Sequence, residues 1–366
     1  MREILRVDAN FAKQIKEECG VNVFACYQCK RCTSGCPVSD EMDYPPHQII
    51  RALQFGHKDL VLNSKTIWLC ASCETCTTRC PQRIGVGRLM DTLRSMVLRE
   101  EITPKLSTVP LFNRIALKSI EKYGRIYELG TTLAFNVRTG RVLKDVPLGI
   151  KLLLKRRLKL LPSWAHYPEK IDAIPTKATV KEPNKVAYFS GCSLHSIGSE
   201  LNLSSQAVCR KLGLKIEEPE NWVCCGTTPA HSTSHLLATV LPIKNLALVE
   251  KMGHSYMTVP CAGCFFRFKA ATYDIERDSS LREEVAKEIG YNYADSVKIE
   301  HLIDTLVNKV GRKTIADKVV RELKGLKVVC YYGCFLTRPP EVTGAKHPEY
   351  PRNMDELMSA LGIDCL

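Results

Sequence analysis

Apolar residues recur at helical spacing through the first hundred positions. Ile49, Ile50, Leu53 and Phe55 follow Pro46 and stop at Gly56. That pattern predicts a helix opened by proline and closed by glycine. Val86, Leu89, Met90, Leu93 and Val97 keep an i, i+3, i+4 spacing and predict a second helix with a core-facing stripe. Phe112–Tyr127 repeats the spacing. From about position 184 the pattern changes. Lys185–Ser190, Ser255–Val259 and Lys327–Tyr332 read as strands, while Leu201–Leu212, Ser234–Met252, Ile299–Val310 and Thr314–Leu323 read as helices. Such alternation predicts βαβ units and a mainly parallel sheet. Two strands open alike, KVAYFSGCS and KVVCYYGCF, 142 residues apart, which predicts an internal duplication.

The 366 residues are 45% hydrophobic and 25% charged, ordinary for a globular chain of two or three units. Cysteine is the exception, with 18 residues. A chain this long buries a core without disulfide staples. The start, MREILRVDANFAKQ, is charged and lacks the apolar region of a signal peptide. A reducing, cytoplasmic setting is therefore expected, where clustered cysteines mean metal or redox chemistry. The longest charge-free run, Asn221–Ile243, holds Pro229 and is too polar to span a membrane.

Nine cysteines lie from Cys19 to Cys80, none between Cys80 and Cys192, and nine from Cys192 onward. The cysteine-free middle carries the charge: Arg99–Lys185 has 18 Lys/Arg against 8 Asp/Glu, +10 of a total +13. The expected division is 1–100, 101–183 with a linker from Ser163 to Pro183, 184–325 and 326–366.

Residues 26–37 read CYQCKRCTSGCP and residues 70–81 read CASCETCTTRCP. Both are C-x2-C-x2-C-x3-C-P, in which three thiolates wrap one cubane and the fourth reaches the other. Cys26, Cys29, Cys32 and Cys80 are thus expected on one [4Fe–4S] cluster, and Cys70, Cys73, Cys76 and Cys36 on the second. Zinc prefers separated cysteine pairs, which these runs do not offer. Lys30, Arg31 and Arg79 lie within the runs and would raise the cluster potentials weakly. Cys19 stands outside and reads as a buried apolar residue.

A different grammar follows: Cys192, then Cys224–Cys225–Gly226, then Cys261–Ala262–Gly263–Cys264. Adjacent cysteines chelate one small ion poorly but can bridge two irons. Cys192 and Cys261 each end a predicted strand, where open α/β sheets place their sites. Zinc held by four of these cysteines, or a reversible disulfide, are the alternatives. His195, His231 and His235 lie near enough in sequence to ligate, although no ligand is missing without them.

This spacing resembles the CCG motif of the heterodisulfide reductase B subunit family, and the first half resembles the matching C subunit. The whole chain thus resembles a C–B fusion: an α-helical ferredoxin domain followed by an α/β CCG domain with a mainly parallel sheet. The resemblance implies a non-cubane iron–sulfur cluster on Cys192, Cys224, Cys225, Cys261 and Cys264. It implies an oxidoreductase subunit that takes electrons from a flavoprotein or cytochrome partner and reduces a disulfide. A relay subunit of a lactate- or glycolate-oxidising complex is the alternative. The family's second CCG motif starts at Gly333–Cys334 and is not completed. Cys334 is its one candidate ligand, Cys365 falls where the approach to the missing CCG would lie, and a fragment of a longer protein is the expectation. No G-x-G-x-x-G fingerprint is present, so any flavin is expected on a partner.

One further segment, Leu148–Pro162, is amphipathic. Ile150, Leu154, Leu158 and Leu161 share one side of a helical wheel, with Lys151, Lys155, Arg156 and Lys159 on the other and Arg157 breaking the arc. A helix packed on its own domain with a solvated basic face is expected, ahead of an acidic partner or peripheral docking at the inner membrane face. Sparse aromatics disfavour nucleic acid.

Overall fold

The computed structural model describes residues 7–144, 146–155, 157–165, 171 and 184–366. The first hundred residues are helical: α1 (Phe11–Cys19), α2 (Arg31–Ser34), α3 (Pro46–Gln54), α4 (Lys58–Leu62), α5 (Thr66–Leu69), α6 (Thr75–Arg79) and α7 (Val86–Arg99). Pro46 occupies the first turn of α3, where its fixed φ suits the helix and no amide hydrogen is missed. Ile49, Ile50 and Leu53 of α3 are buried against Ile67 and Trp68, and against Leu89, Met90, Leu93 and Val97 of α7. Phe55, expected on that face, is half exposed and lies instead under the Arg51 guanidinium, 4.3 Å from the ring centroid. Cys19 is buried, and its thiol donates to the Ile15 carbonyl at 3.1 Å, as a small core residue does. Leu89→Ala should cost about 2–5 kcal/mol, because the fully enclosed site cannot collapse onto the cavity. Denaturant unfolding followed by circular dichroism measures it.

The middle holds α8 (Thr108–Tyr123), α9 (Glu128–Arg138) and α10 (Val146–Leu154). It is not a free-standing spacer. Ile120 of α8 packs with Val223, Cys224, Ala230 and Leu241 of the following unit, and the Cys224 amide donates to the Gly124 carbonyl at 2.8 Å. The predicted linker Ser163–Pro183 falls mostly outside the described residues, but Ile171 is fully buried in the core of the next unit. The expected packing of the basic helix on its own domain is corrected: α10 buries no residue, and Leu148, Ile150 and Leu154 are 54%, 53% and 81% exposed. Arg156 lies outside the described residues. Among the described residues no helix is long and apolar enough to cross a membrane.

The third part alternates strand and helix: β1 (Lys185–Tyr188), α11 (Gly191–Leu194), α12 (Ser199–Lys211), β2 (Lys215–Glu217), α13 (His235–Lys251), β3 (Tyr256–Val259), α14 (Ala262–Arg277), α15 (Ser279–Ile289) and β4 (Lys298–His301). The sheet order is β2–β1–β3–β4, all parallel, with Val186 opposite Ile216, Ala187 opposite Met257 and Tyr256 opposite Lys298. The chain leaves β1 to one side for β2 and returns to its other side for β3. That reversal is a topological switch point, where the loops after β1 and β3 part and leave a crevice.

Two boundaries differ from expectation. Ile299 belongs to β4, and the helix begins at α16 (Leu302–Thr305), where the His301 side chain caps the Ile303 amide. Pairing with β3 overrides the helical spacing there. The expected helix Thr314–Leu323 shortens to α17 (Arg312–Asp317). Then follow β5 (Lys327–Val328), α18 (Cys334–Thr337), α19 (Pro340–Thr343), α20 (Asn353–Ala360) and β6 (Asp364–Cys365). The expected strand Lys327–Tyr332 pairs over two residues only, because β6 offers no more. β5–α20–β6 nevertheless repeats β1–α12–β2: Lys327 faces Asp364 as Lys185 faces Lys215, both in parallel. The duplication is therefore structural as well as textual.

Candidate functional site

The two ferredoxin-type runs fold alike. Gln28 and Lys30 in the first, and Ser72 and Glu74 in the second, adopt left-handed backbone at φ 61°, 65°, 49° and 57°. Left-handed backbone costs a non-glycine residue roughly 1–2 kcal/mol. The repeat of the same four positions shows that the cysteine spacing, not chance, imposes the turn. It curls the chain so that three thiols converge, and the Gln28 amide points at Cys26 Sγ from 3.4 Å. α2 and α6 start directly after and pack on each other. Cys36 crosses over: it lines one cavity with Cys70, Cys73 and Cys76, walled by Met42, Val86 and Met90. Cys26, Cys29 and Cys32 neighbour one another, and Cys26, Cys70, Cys76 and Cys80 all pack against one core.

The other five cysteines gather at the switch point. Cys192 follows β1 and Cys261 follows β3, the two strands between which the order reverses. Cys225 Sγ lies 3.1 Å from Cys264 Sγ and 3.0 Å from Thr227 Oγ1. Cys224, Cys225 and Cys264 are buried, and Cys192 and Cys261 are half-buried. Hydrogen bonding with Cys264 brings Cys261 down to about 7, and hydrogen bonding with Cys224 and Cys264 lowers Cys225. Hydrogen bonding with Cys192 and Cys225 raises Cys224, and hydrogen bonding with Cys225 and Cys261 raises Cys264. Two glycines keep the cradle open. A Cβ on Gly191 (φ 75°) would lie 2.9 Å from Cys264 Sγ, and one on Gly226 (φ 75°) 2.8 Å from Ala230 and Leu241. Neither position tolerates a side chain in conformation or in space.

Both donor sets suit iron–sulfur clusters. They are sulfur throughout, and five thiols at the switch point exceed the four a zinc ion takes. Tetrahedral zinc would also draw its sulfurs to about 3.8 Å from one another, given Zn–S near about 2.3 Å. Among the described residues no three of these cysteines are mutually within 4.8 Å. Cys334 stands apart from the five: α18 holds it 3.7 Å from Arg338 Nη1, which also donates to Thr75 Oγ1 at 2.8 Å in the second ferredoxin run.

The basic middle covers the switch-point site. Arg125 stacks over Trp222, 3.8 Å from the ring centroid, and its Nε donates to the Trp222 carbonyl at 3.0 Å. Arg125, Glu128, Lys159, Cys192, His195 and Trp222 line a small pocket of about 30 Å³ beside Cys192. His195 Nε2 lies 2.8 Å from Glu218, which also accepts from Ser190. The remaining two histidines belong to the junction between the units. His231 Nδ1 meets Asp91 at 2.9 Å, and His235 Nε2 lies 3.2 Å from Arg88 and 3.4 Å from Asp274.

That junction rests on Arg94 of α7, a buried guanidinium that no motif or spacing singles out. It donates to the carbonyls of Ile67 and Cys70, to Ser72 Oγ at 3.2 Å, to Asp91 at 2.9 Å and to Ser232 Oγ at 3.2 Å. One side chain thereby ties the second cysteine run to the unit that carries the five cysteines. Burial raises the Glu74 carboxyl to about 7 at the same contact. Arg125, Trp222 and Thr227 were likewise silent in the sequence, since stacking and capping roles have no spacing signature.

A family described as "4Fe-4S dicluster domain" matches residues 22–84, and one described as "Cysteine-rich domain" (CCG) matches residues 186–269. The chain is similar to the 8-methylmenaquinol:fumarate reductase membrane anchor subunit of Wolinella succinogenes, 30% identical over 178 residues, 48% of this chain and 61% of that protein. It is similar to the C subunit of the H(2):CoB-CoM heterodisulfide,ferredoxin reductase of Methanothermobacter marburgensis, 27% identical over 46% of this chain and 80% of that one. It is also similar to the B subunit of the ferredoxin/F(420)H(2)-dependent CoB-CoM heterodisulfide reductase of Methanosarcina acetivorans, 27% identical over 49% of this chain and 60% of that one. The chain thus spans about 60% of the length of two of these three relatives. A crystal structure of a hypothetical protein from Helicobacter pylori shares the fold, with a TM-score of 0.50 at 11% identity over 98% of this chain and 57% of that one. The chain thus joins a dicluster domain and a cysteine-rich CCG domain in one polypeptide, and it is similar to heterodisulfide reductase subunits of both the C and the B type.

Proposed function

We propose that this chain reduces a disulfide at the switch-point cysteines with electrons taken from a partner flavoprotein or cytochrome subunit. The observation that carries the reading is the gathering of Cys192, Cys224, Cys225, Cys261 and Cys264 at the switch point of a unit against which the second cysteine run is clamped. Cys26, Cys29, Cys32 and Cys80 would hold one [4Fe–4S] cluster, Cys70, Cys73, Cys76 and Cys36 a second, and the five a non-cubane cluster. Bound there, such clusters supply single-electron transfer. The reaction balances as RSSR′ + 2e⁻ + 2H⁺ → RSH + R′SH. Arg94, with Ser232, Asp91 and His231, holds the two donor sets together at the wall of an open cleft between the units. Arg125 and Lys159 outweigh the one carboxyl, Glu128, in the pocket beside Cys192, and the remaining positive charge suits a disulfide with acidic groups.

Cluster content tests the reading first. Two cubanes bring about 8 irons and a switch-point cluster about 4 more, so anaerobically purified protein should contain roughly 12 irons per chain. About 8 irons together with a zinc ion that disappears when Cys224 and Cys225 are replaced would sink the switch-point cluster and leave the ferredoxin part standing.

A second reading, a relay subunit whose catalysis sits on another chain, is favoured by one observation. The exposed apolar residues Leu143, Leu148, Ile150, Leu154, Leu160, Leu161 and Trp164 are interleaved with Lys151, Lys155, Arg157 and Lys159. An anionic membrane surface fits that mixture, and the Wolinella relative is named a membrane anchor subunit. Disulfide reduction by the isolated chain with a chemical electron donor separates the two readings.

A further inference from the structure

Cys330, Asp355 and Cys365 belong to neither the ferredoxin runs nor the switch-point group, yet they converge. Their two Sγ atoms and a carboxylate oxygen all lie within 4.8 Å of one another, and all three residues are half-buried. They come from three elements: Cys330 follows β5, Asp355 sits on α20 and Cys365 on β6. We propose that Cys330, Asp355 and Cys365 form a structural site for one thiophilic divalent cation of the zinc class, which staples the second βαβ unit.

The spacing suits one ion. Zinc at about 2.3 Å from sulfur and about 2.0–2.2 Å from oxygen sets its donors roughly 3.5–3.8 Å apart, so only small side-chain adjustments are needed. The carboxylate is already held. Tyr332 donates its hydroxyl hydrogen to Asp355 Oδ2 at 2.6 Å, and the same hydroxyl accepts from the amides of Met354 and Asp355 at 2.6 and 3.2 Å. A ligating group fixed by an outer hydrogen bond is the arrangement metal sites need. A disulfide between the two cysteines would have no use for it. Binding would displace the two thiol protons, with water in the fourth position.

β5 and β6 pair over two residues each, and Val329 and Tyr331 beside them are 74% and 84% exposed. In the first repeat β1 is flanked by strands on both sides. Aligning KVAY with KVVC sets Cys330 where the first repeat has Tyr188, whose hydroxyl bonds Asn202 Oδ1 at 2.9 Å. The second repeat thus replaces an aromatic hydrogen bond with two thiols and a carboxylate.

The test uses the untagged, anaerobically purified chain with its iron, reduced, given one equivalent of zinc chloride and then exchanged into zinc-free buffer. The expected result is about one zinc per chain, whose K-edge absorption shows two sulfurs at about 2.3 Å and two lighter atoms at about 2.0–2.2 Å. Cys330→Ala with Cys365→Ala should lose that zinc with iron content unchanged. Asp355→Asn should retain it at least about tenfold less well against a chelator. No zinc retained by the reduced wild type overturns the proposal. Zinc that persists in the double variant, or a shell of three or four sulfurs, overturns it as well. Should circular dichroism show the double variant unfolded, Asp355→Asn decides: full zinc retention there ends the proposal.

Discussion

Cys225→Ser should reduce disulfide turnover to below about 1% of wild type, a barrier increase of at least about 2.7 kcal/mol, while both cubane signals persist. Cys225 sits at the centre of the switch-point group, 3.1 Å from Cys264 and 3.0 Å from Thr227 Oγ1, and is buried. Serine keeps its volume but is a harder donor that binds iron poorly. The cubane cysteines belong to a separate core, so they should not register the change. Were the five cysteines merely a structural metal site, the same substitution would unfold the third part of the chain, because metal-binding energy is folding energy. Circular dichroism, electron paramagnetic resonance of the cubanes and a disulfide-reduction assay on the protein in its native complex distinguish the outcomes. A folded variant with full reductase activity would end the catalytic reading.

Cys36→Ser should cost the cluster of Cys70, Cys73 and Cys76, and Cys80→Ser the cluster of Cys26, Cys29 and Cys32. Each loss removes up to about 4 irons of roughly 12. The crossing rests on Cys36, which lines a single cavity with the three cysteines of the later run; the matching motif then leaves Cys80 for the cluster of Cys26, Cys29 and Cys32. Arg94 touches only the second run, through the Cys70 carbonyl and Ser72. The Cys36 variant should therefore also perturb electron delivery to the switch-point site more than the Cys80 variant does. Redox titration by electron paramagnetic resonance reads the two clusters separately. Signal loss confined to the run that carries the mutation contradicts the crossed assignment.

Sequence alone marks the cysteine groups, with the chemistry expected of them, and the longer helices and strands. Thiol spacing is local: C-x2-C-x2-C imposes the left-handed positions 28, 30, 72 and 74 whatever surrounds them. Stripes such as Leu89, Met90 and Leu93 record burial in their period, and the repeated Lys-Val to Gly-Cys openings marked a duplication that the strand registers display. Tertiary structure decided what depends on partners distant in sequence. β2 is three residues long and β4 begins inside a helical pattern, so neither had a period to reveal it; both exist because β1 and β3 hold them in register. The basic helix α10 carried a stripe that promised burial, yet none of its residues is buried. Arg94, Arg125 and the trio Cys330, Asp355 and Cys365 acquire meaning only once segments up to 138 residues apart touch, since a hydrogen bond or a metal ligand is defined by position in space and leaves no period in the chain.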